Sequence, residues 1–428
     1  MKDNKWHIWV VLCCMIMASG CVRNQFDQQR YEEIVEEESP TPNVDENHDW
    51  MMSTIMTLVV DPSGVDNVNL VRIFTENPAE TDFAEVVDEA YSSGDNKIVM
   101  NISYPIRLET LYAAAIDSED YYTIVSFNPN SSSSINFANP IVKHQKMPYH
   151  YLYQTYEYLY EEEYPQPGDY DFNDVVMHIA LERASTNVMY VHVRLAAVGA
   201  DQQLAGCIRM PEIPFEEIDS VWTVNGASFN QDITSQYMMV LKERDLLLKG
   251  LNGEPVLNLF ADAHWATGDN LDANYGMFKR KQYNVTKTTG SDAQLMVPRE
   301  IVFGMRVKKG DLLTSMSLDN IDPFIIRQYN GSNMEIHTYD YRKINALNSY
   351  NFIDAGNIPW ALKIPYGWFC HPLHGVNIGF RLEGQGTQYL FGAYRRSGNS
   401  FGEWSMNHLV SLRWFLPENA TTNQVFVW

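Results

Sequence analysis

The chain has 428 residues, a hydrophobic fraction of 45% and a formal net charge of -23. That length and apolarity exceed what one small core needs, so most of the chain is expected to fold, in two or three domains. The acidic excess repels phosphates and argues against nucleic-acid binding, and it suits a solvated envelope protein or one that collects divalent cations.

Lys2 and Lys5 precede a mostly apolar stretch, Trp6 to Ala18. It has the length of a signal-peptide core and is too short to span ~30 Å of hydrocarbon as a helix. It runs into Met17-Ala18-Ser19-Gly20-Cys21, small residues followed by cysteine, the pattern of a lipobox. Residues 1–20 are therefore expected to be a cleaved lipoprotein signal peptide, and Cys21 the lipidated N-terminus. Each buried acyl carbon contributes ~0.8 kcal/mol, so two or three chains hold the protein to a membrane. The expected place is the outer membrane, on its cell-surface or periplasmic face. The alternative is an ordinary secretory signal with an incidental Cys21. No later apolar run is long enough for a membrane helix. Cys207 and Cys370 either pair or stay separate as buried thiols.

Residues 21–49 carry Glu32-Glu33, Glu36-Glu37-Glu38 and Ser39-Pro40-Thr41-Pro42, and are expected to be an acidic disordered tether. From Trp50 the pattern changes to short runs rich in Val, Ile, Thr and Tyr. Ser53 to Val60, Asn67 to Phe74, Lys97 to Ile102 and Tyr121 to Phe127 are predicted strands, separated by Pro, Gly and Asn turns. Thr81 to Ser92, apolar at Phe83, Val86, Val87 and Ala90, is predicted as a short helix. Residues 50–135 thus read as a small β-sandwich-like domain, ending near a serine-rich loop at Asn128 to Ser134.

A larger β-rich, sandwich-type domain is expected over residues 145–428. Val175 to Leu181, Val188 to Val198, Ile301 to Val307 and Gln388 to Tyr394 alternate or are β-branched, as strands do. The fold class is all-β. No fixed-period repeat and no Gly-rich phosphate loop interrupts it. Gln424 to Trp428 alternates as the last strand of an outer-membrane barrel does, but the chain lacks a regular series of ~10-residue amphipathic strands, which favours a closing strand of a soluble sandwich.

The sharpest chemistry lies in Gly168-Asp169-Tyr170-Asp171-Phe172-Asn173-Asp174-Val175-Val176. Asp169, Asp171 and Asn173 are spaced by two, and Asp174 follows. In a curled loop their oxygens can face one point, where carboxylates repel unless a cation sits among them. Ca²⁺ takes about six to eight hard oxygens at roughly 2.3–2.6 Å. The opening resembles an EF-hand loop, yet its sixth position is Asp174 rather than Gly and its twelfth is Ala180 rather than Glu. Glu161-Glu162-Glu163, across the Pro165-Gln166-Pro167 turn, offers a further ligand. The plain alternative is that these residues are turn formers and strand caps.

This nine-residue segment resembles the signature of the LruC domain of lipoproteins and secreted proteins from Bacteroides-like bacteria. Tyr160-Glu161-Glu162-Glu163-Tyr164-Pro165 is similar to the aromatic-acidic segment before that signature, with Glu162 where an Asp is expected. Asn258 to His264, Asp322 to Ile325, Glu335 to His337 and Ile358 to Leu362 resemble later stretches in the same order. The resemblance covers roughly residues 150–428. It implies an envelope-associated β-rich protein and brings no established reaction. The expected ligand set for a structural Ca²⁺ is Asp169, Asp171, Asn173, Asp174 and Glu162.

Three other patterns compete. Gly398-Asn399-Ser400-Phe401-Gly402 fits a nucleophile elbow, but no Asp follows and His408 is too close for a sheet to intervene. Cys370-His371-x-x-His374 resembles half a zinc site, broken by Pro372. His264 reads as a core histidine. The tyrosines at 149, 151, 153, 156, 158, 160 and 164 form an aromatic strip that either stacks on sugars or packs one sheet face. The expected function is non-catalytic: an envelope lipoprotein presenting a β-rich surface to a protein or glycan partner for adhesion or assembly. A glycan-binding lipoprotein using the strip, or a hydrolase, is the alternative.

Overall fold

The structure is a computed structural model that describes residue 29 and residues 39–41, 43–92, 97–147, 150–227, 229, 245–267, 281–288, 290, 293–341, 352–379, 400–420 and 424–428. The chain divides into two compact units, Met1–Glu38 and Ser39–Trp428. The expected signal segment, Cys21, Tyr149 and the strand expected at 388–394 lie outside the described residues. No helix among the described residues is long and apolar enough to cross a membrane.

In the unit Ser39–Trp428, β-branched and aromatic runs become strands because their side chains pack well on a pleated, half-buried surface. The first nine are β1 (Ser53–Asp61), β2 (Val68–Phe74), β3 (Ala84–Tyr91), β4 (Ile98–Pro105), β5 (Leu111–Asp117), β6 (Tyr121–Phe127), β7 (Ser134–Asn136), β8 (Val142–Lys146) and β9 (Tyr151–Tyr153). They form one sheet of order β4-β1-β7 and another of order β8-β6-β5-β2-β3-β9. Leu58, Val60, Met100 and Ile102 of the first pack on Val71, Ile73, Ala113 and Val125 of the second in one core. This sandwich extends to Tyr153, past residue 135.

Residues 81–92 are not the expected helix: they supply β3. It pairs antiparallel with β2 and parallel with β9. Ala84 and Val86 are buried while Phe83 is 56% exposed, which a core-facing helical stripe would not allow. The apolar spacing satisfies both periods, and pairing on two sides with β-branched Val86 and Val87 decides for the strand.

The second half contributes β10 (Thr155–Tyr160), β11 (Val175–Ser185), β12 (Val188–Ala197), β13 (Leu204–Arg209), β14 (Ile218–Thr223), β15 (Leu247–Lys249), β16 (Pro255–Phe260), β17 (Gln282–Tyr283), β18 (Ala293–Gln294), β19 (Arg299–Val307), β20 (Asp322–Tyr329), β21 (Ser332–His337) and β22 (Ala361–Ile364). Apart from the small β17-β18 pair, they build sheets of order β14-β19-β12-β11-β10-β22 and β15-β16-β13-β20-β21. Met177, Ile179, Val191, Val193 and Ile301 of one meet Leu204, Ile208, Leu257, Ile325 and Ile336 of the other in a single core. The fold is all-β and sandwich-type. Cys207 and Cys370 are buried and form no disulfide.

Alternation along β10 assigns the tyrosine strip. Tyr156, Tyr158 and Tyr160 are fully buried in this core, and the Tyr158 and Tyr160 hydroxyls donate to the carbonyls of Leu318 and Pro323. These three are packing residues and offer no stacking surface, while Tyr151, Tyr153 and Tyr164 are half-buried. Thr155, Glu157 and Leu159 face the opposite way.

That opposite face is covered at one end by a third, irregular layer. Leu159, Val176, Leu362 and Ile364 pack against Phe369, Phe401, Trp404 and Trp414. Trp50 and His48 join them, stacked at 4.1 Å, and Asp45 Oδ2 holds His408 Nδ1 at 2.7 Å. The last residues of the expected tether are therefore docked, because the His48 ring packs on Trp50 and Trp404. The C-terminus forms no closing strand: Val425 makes one bridge to Pro372, and Trp428 Nε1 donates to Phe369 O. Side-chain burial anchors this end in place of a ladder.

Ser400 caps the short helix α1 (Phe401–Met406), accepting from Glu403 N, and is fully buried. It is a helix cap where the elbow pattern pointed to a nucleophile. Ser400→Ala is expected to cost ~1 kcal/mol, the usual loss of a cap, read as a lower urea midpoint at unchanged slope.

Candidate metal centre

The acidic loop hangs between β10 and β11, which pair antiparallel along their length. After Tyr160 the chain passes Glu161-Glu162-Glu163, turns through Pro165-Gln166-Pro167 and returns along 168–174. The return is coiled: Tyr170 and Phe172 have φ of 57° and 52°, a region that non-glycine residues enter only when surroundings hold them. Glu161 is the holder. Its carboxylate accepts from Phe172 N at 2.5 Å and Tyr170 N at 3.3 Å. Gly168 packs so closely that a Cβ there would lie 2.1 Å from Glu161 Oε2. Gly199 is equally constrained, since a Cβ would lie 2.1 Å from Asn173 Oδ1.

The expected ligands do not converge as one set. One oxygen each from Glu161, Glu163 and Asp174 lie within 4.8 Å of one another. Asp169, Asp171 and the ring of His374 form a second group at the same spacing. Asp171 Oδ2 also accepts from Gly375 N at 2.7 Å, and its Oδ1 from Asn173 N at 3.0 Å. Glu162 turns away: its carboxylate accepts from Asp201 N and Gln202 N at 2.8 and 3.0 Å, while its own N–H donates to Asp174 Oδ2 at 2.6 Å. Asn173 donates to Pro372 O through Nδ2, and its buried Oδ1 has no hydrogen-bond partner.

Sequence reasoning chose Glu162 over its neighbours and missed His374. The signal for the first was present, because extended backbone puts Glu161 and Glu163 on one side and Glu162 on the other. His374 lay hidden inside the zinc-like pattern. That pattern does not assemble: Cys370 sits in the aromatic layer and His371 Nε2 bonds Asn284 O at 2.9 Å. Burial lowers the His371 pKa to about 4, so its ring is neutral. His264 is buried, with Nδ1 on Lys281 O at 2.9 Å, as a core histidine should be.

The electrostatics are lopsided. Burial first, then neighbouring carboxylates, push Glu161, Asp171 and Asp174 well above the usual carboxylate range. Burial, then Glu163, lifts Glu162 to about 7, and burial, then Asp169, lifts Glu163 to about 7. Among the described residues, Arg327 is the cation whose field reaches Glu162, Glu163 and Asp174, and its Nη1 donates to the Glu162 carbonyl. One guanidinium cannot neutralise this many acids, so at neutral pH they require protons or a further cation. Two oxygens on one Ca²⁺ stand at most roughly 4.6–5.2 Å apart, and those of the first group lie within 4.8 Å of one another.

Residues 187–381 match the family model described as Domain of unknown function (DUF4842). No curated protein matches the chain. Among solved structures, a candidate lipoprotein from Bacteroides ovatus aligns at 14% identity and a TM-score of 0.48, over 84% of this chain and 100% of that one. The full-length major pilin SpaD from Corynebacterium diphtheriae aligns at 8% identity and a TM-score of 0.14, over 66% of this chain and 63% of that one.

Proposed function

We propose that this chain is a non-catalytic, LruC-type envelope lipoprotein, anchored through Cys21 in the outer membrane, whose acidic centre holds a structural Ca²⁺. The body presents β-rich surfaces for adhesion or envelope assembly. One observation carries the calcium reading: the converging oxygens of Glu161, Glu163 and Asp174, two of them on buried side chains, set against the one guanidinium, Arg327, whose field reaches them among the described residues. An all-oxygen set of hard donors suits Ca²⁺ rather than a softer ion. Of the residues expected as ligands, Asp174 belongs to this set. Asp169 and Asp171, with His374 beside them, line the adjoining group and add to its negative field. Glu162 and Asn173 shape the loop through backbone contacts. The anchor rests on the lipobox ending at Cys21.

Thermal melting of the protein in Ca²⁺ and in chelator tests the reading. A ligand present at 100 times its Kd stabilises by ~2.7 kcal/mol, so a rise in midpoint of several degrees with Ca²⁺ is expected, and Mg²⁺ should substitute poorly. Identical midpoints would exclude the ion. The pH dependence follows from the raised carboxylates. Their folded pKa values exceed the unfolded value near 4.3, so the folded state binds more protons and stability falls as pH rises through the interval up to about 7. In chelator the protein should therefore melt higher at pH 5 than at pH 8, and Ca²⁺ should narrow that gap.

A further inference from the structure

The face of the large sheet turned away from its core is open where the aromatic layer stops. There β10, β11, β12 and β19 lie side by side. Their registers set Glu157 opposite His178, His178 opposite Arg194, and Arg194 opposite Glu300. The result is one polar row across the strands, beside a cleft of about 210 Å³ lined by His178, Arg194 and Glu300, with Glu85, Tyr153 and Trp368 among the other lining groups. Its position shares no residue with the acidic centre.

Three features mark the cleft as built for a ligand. Trp368 stands at its rim on a turn and keeps 50% of its surface exposed, with the Arg194 guanidinium carbon 5.9 Å from its ring centre. An aromatic ring of this kind in water is a stacking platform. At the floor, His178 is 3% exposed; its Nε2 lies 3.2 Å from Glu157 Oε2, and neither ring nitrogen has a hydrogen-bond partner. A buried polar atom left unpaired is costly unless something completes it. Finally, Arg194 and His192 are already held by carboxylates. Arg194 bonds Glu300 at 3.0 Å, and His192 bonds Glu182 at 2.7 Å. These two side-chain pairs leave no cation seeking an anion, yet they retain N–H groups and lone pairs.

A flat apolar platform facing a row of planar, charge-matched hydrogen-bonding groups fits a molecule with a C–H face, a hydroxyl edge and no charge. We propose that this cleft binds one pyranose ring of a neutral glycan, stacked on Trp368 and hydrogen-bonded along its hydroxyl edge by Arg194, Glu300 and His178. The volume lies below the ~300–1,000 Å³ of drug-sized sites, which limits the buried portion to a single ring and leaves the rest of a chain in solvent.

The test is titration of the full chain with the methyl glycosides of glucose, galactose, mannose and N-acetylglucosamine, followed by calorimetry and tryptophan fluorescence. At least one should bind with a Kd of roughly 1 mM, about 4 kcal/mol. Trp368→Ala should weaken that binding at least tenfold at unchanged melting midpoint, and Trp368→Phe should restore most of it. Arg194→Met should also weaken it. The proposal is overturned if none of the four binds, if Trp368→Ala binds as well as the parent, or if only the methyl glucuronide binds, since that would make the site one for anions.

Discussion

Glu161→Ala is expected to destabilise the protein by about 3–5 kcal/mol and to abolish its response to calcium. The first effect comes from the loop. Glu161 is buried and accepts from the amides of Tyr170 and Phe172, and a buried donor stripped of its acceptor costs ~1–3 kcal/mol. Two such donors would be left behind, along with two residues in a left-handed conformation that nothing then holds. The second effect comes from the oxygen set, which loses one of three carboxylates. Glu161→Gln separates the two, because an amide oxygen still accepts one N–H while the charge is gone. It should unfold nearer to the parent in chelator yet gain little from Ca²⁺. Guanidinium unfolding of the parent and both variants, with and without the ion, measures each part. A full calcium response in Glu161→Gln would mean that the ion sits elsewhere.

Replacing Lys363 by Met is expected to cost a similar ~3–5 kcal/mol by a different route. Lys363 lies on β22, paired with Tyr158 of β10, and is 3% exposed. Its Nζ donates to Asp319 Oδ1 at 2.6 Å and to Asp340 Oδ2. Both partners are buried, and the pull of their charges outweighs burial and raises the lysine pKa. Asp319 also accepts from Ser53 Oγ at 2.6 Å, so this cation ties the first sandwich to the second. Methionine fills the volume of the stem but strands two carboxylates, and breaking a buried pair by removing one partner is far costlier than never having built it. The triple variant Lys363→Met, Asp319→Asn, Asp340→Asn should therefore recover much of the loss. Chemical denaturation of the single and triple variants decides this, and equal stabilities would show that the pairing contributes nothing.

Much of the β-structure was legible without coordinates. Tyr121 to Phe127 coincides with its strand, and the strands beginning at Ser53, Val175 and Val188 start at the expected residues. Each is a run whose own alternation or branching announces it. The misreadings arose where a local pattern served two structures. Phe83, Val86, Val87 and Ala90 fit a helix until β2 and β9 claim the segment from either side. Gln424 to Trp428 alternates as a strand does but finds only one bridge. The tyrosines of β10 alternate as a sugar-binding face would, and are buried because a second sheet lies over them.

By itself the sequence determined the all-β class and the acidic loop around Asp171, since each is written in residues a few positions apart. Only the tertiary structure decided which carboxylates meet. Glu161, Glu163 and Asp174 converge because two strands and a coiled return bring them to one point, while Glu162 is spent on the amides of Asp201 and Gln202. It also decided that His374 joins Asp169 and Asp171, and that Glu157, His178, Arg194 and Glu300 form a row across four strands. Those meetings depend on register between strands far apart in the chain. A register is set by the whole buried face of a sheet, and no short pattern contains it.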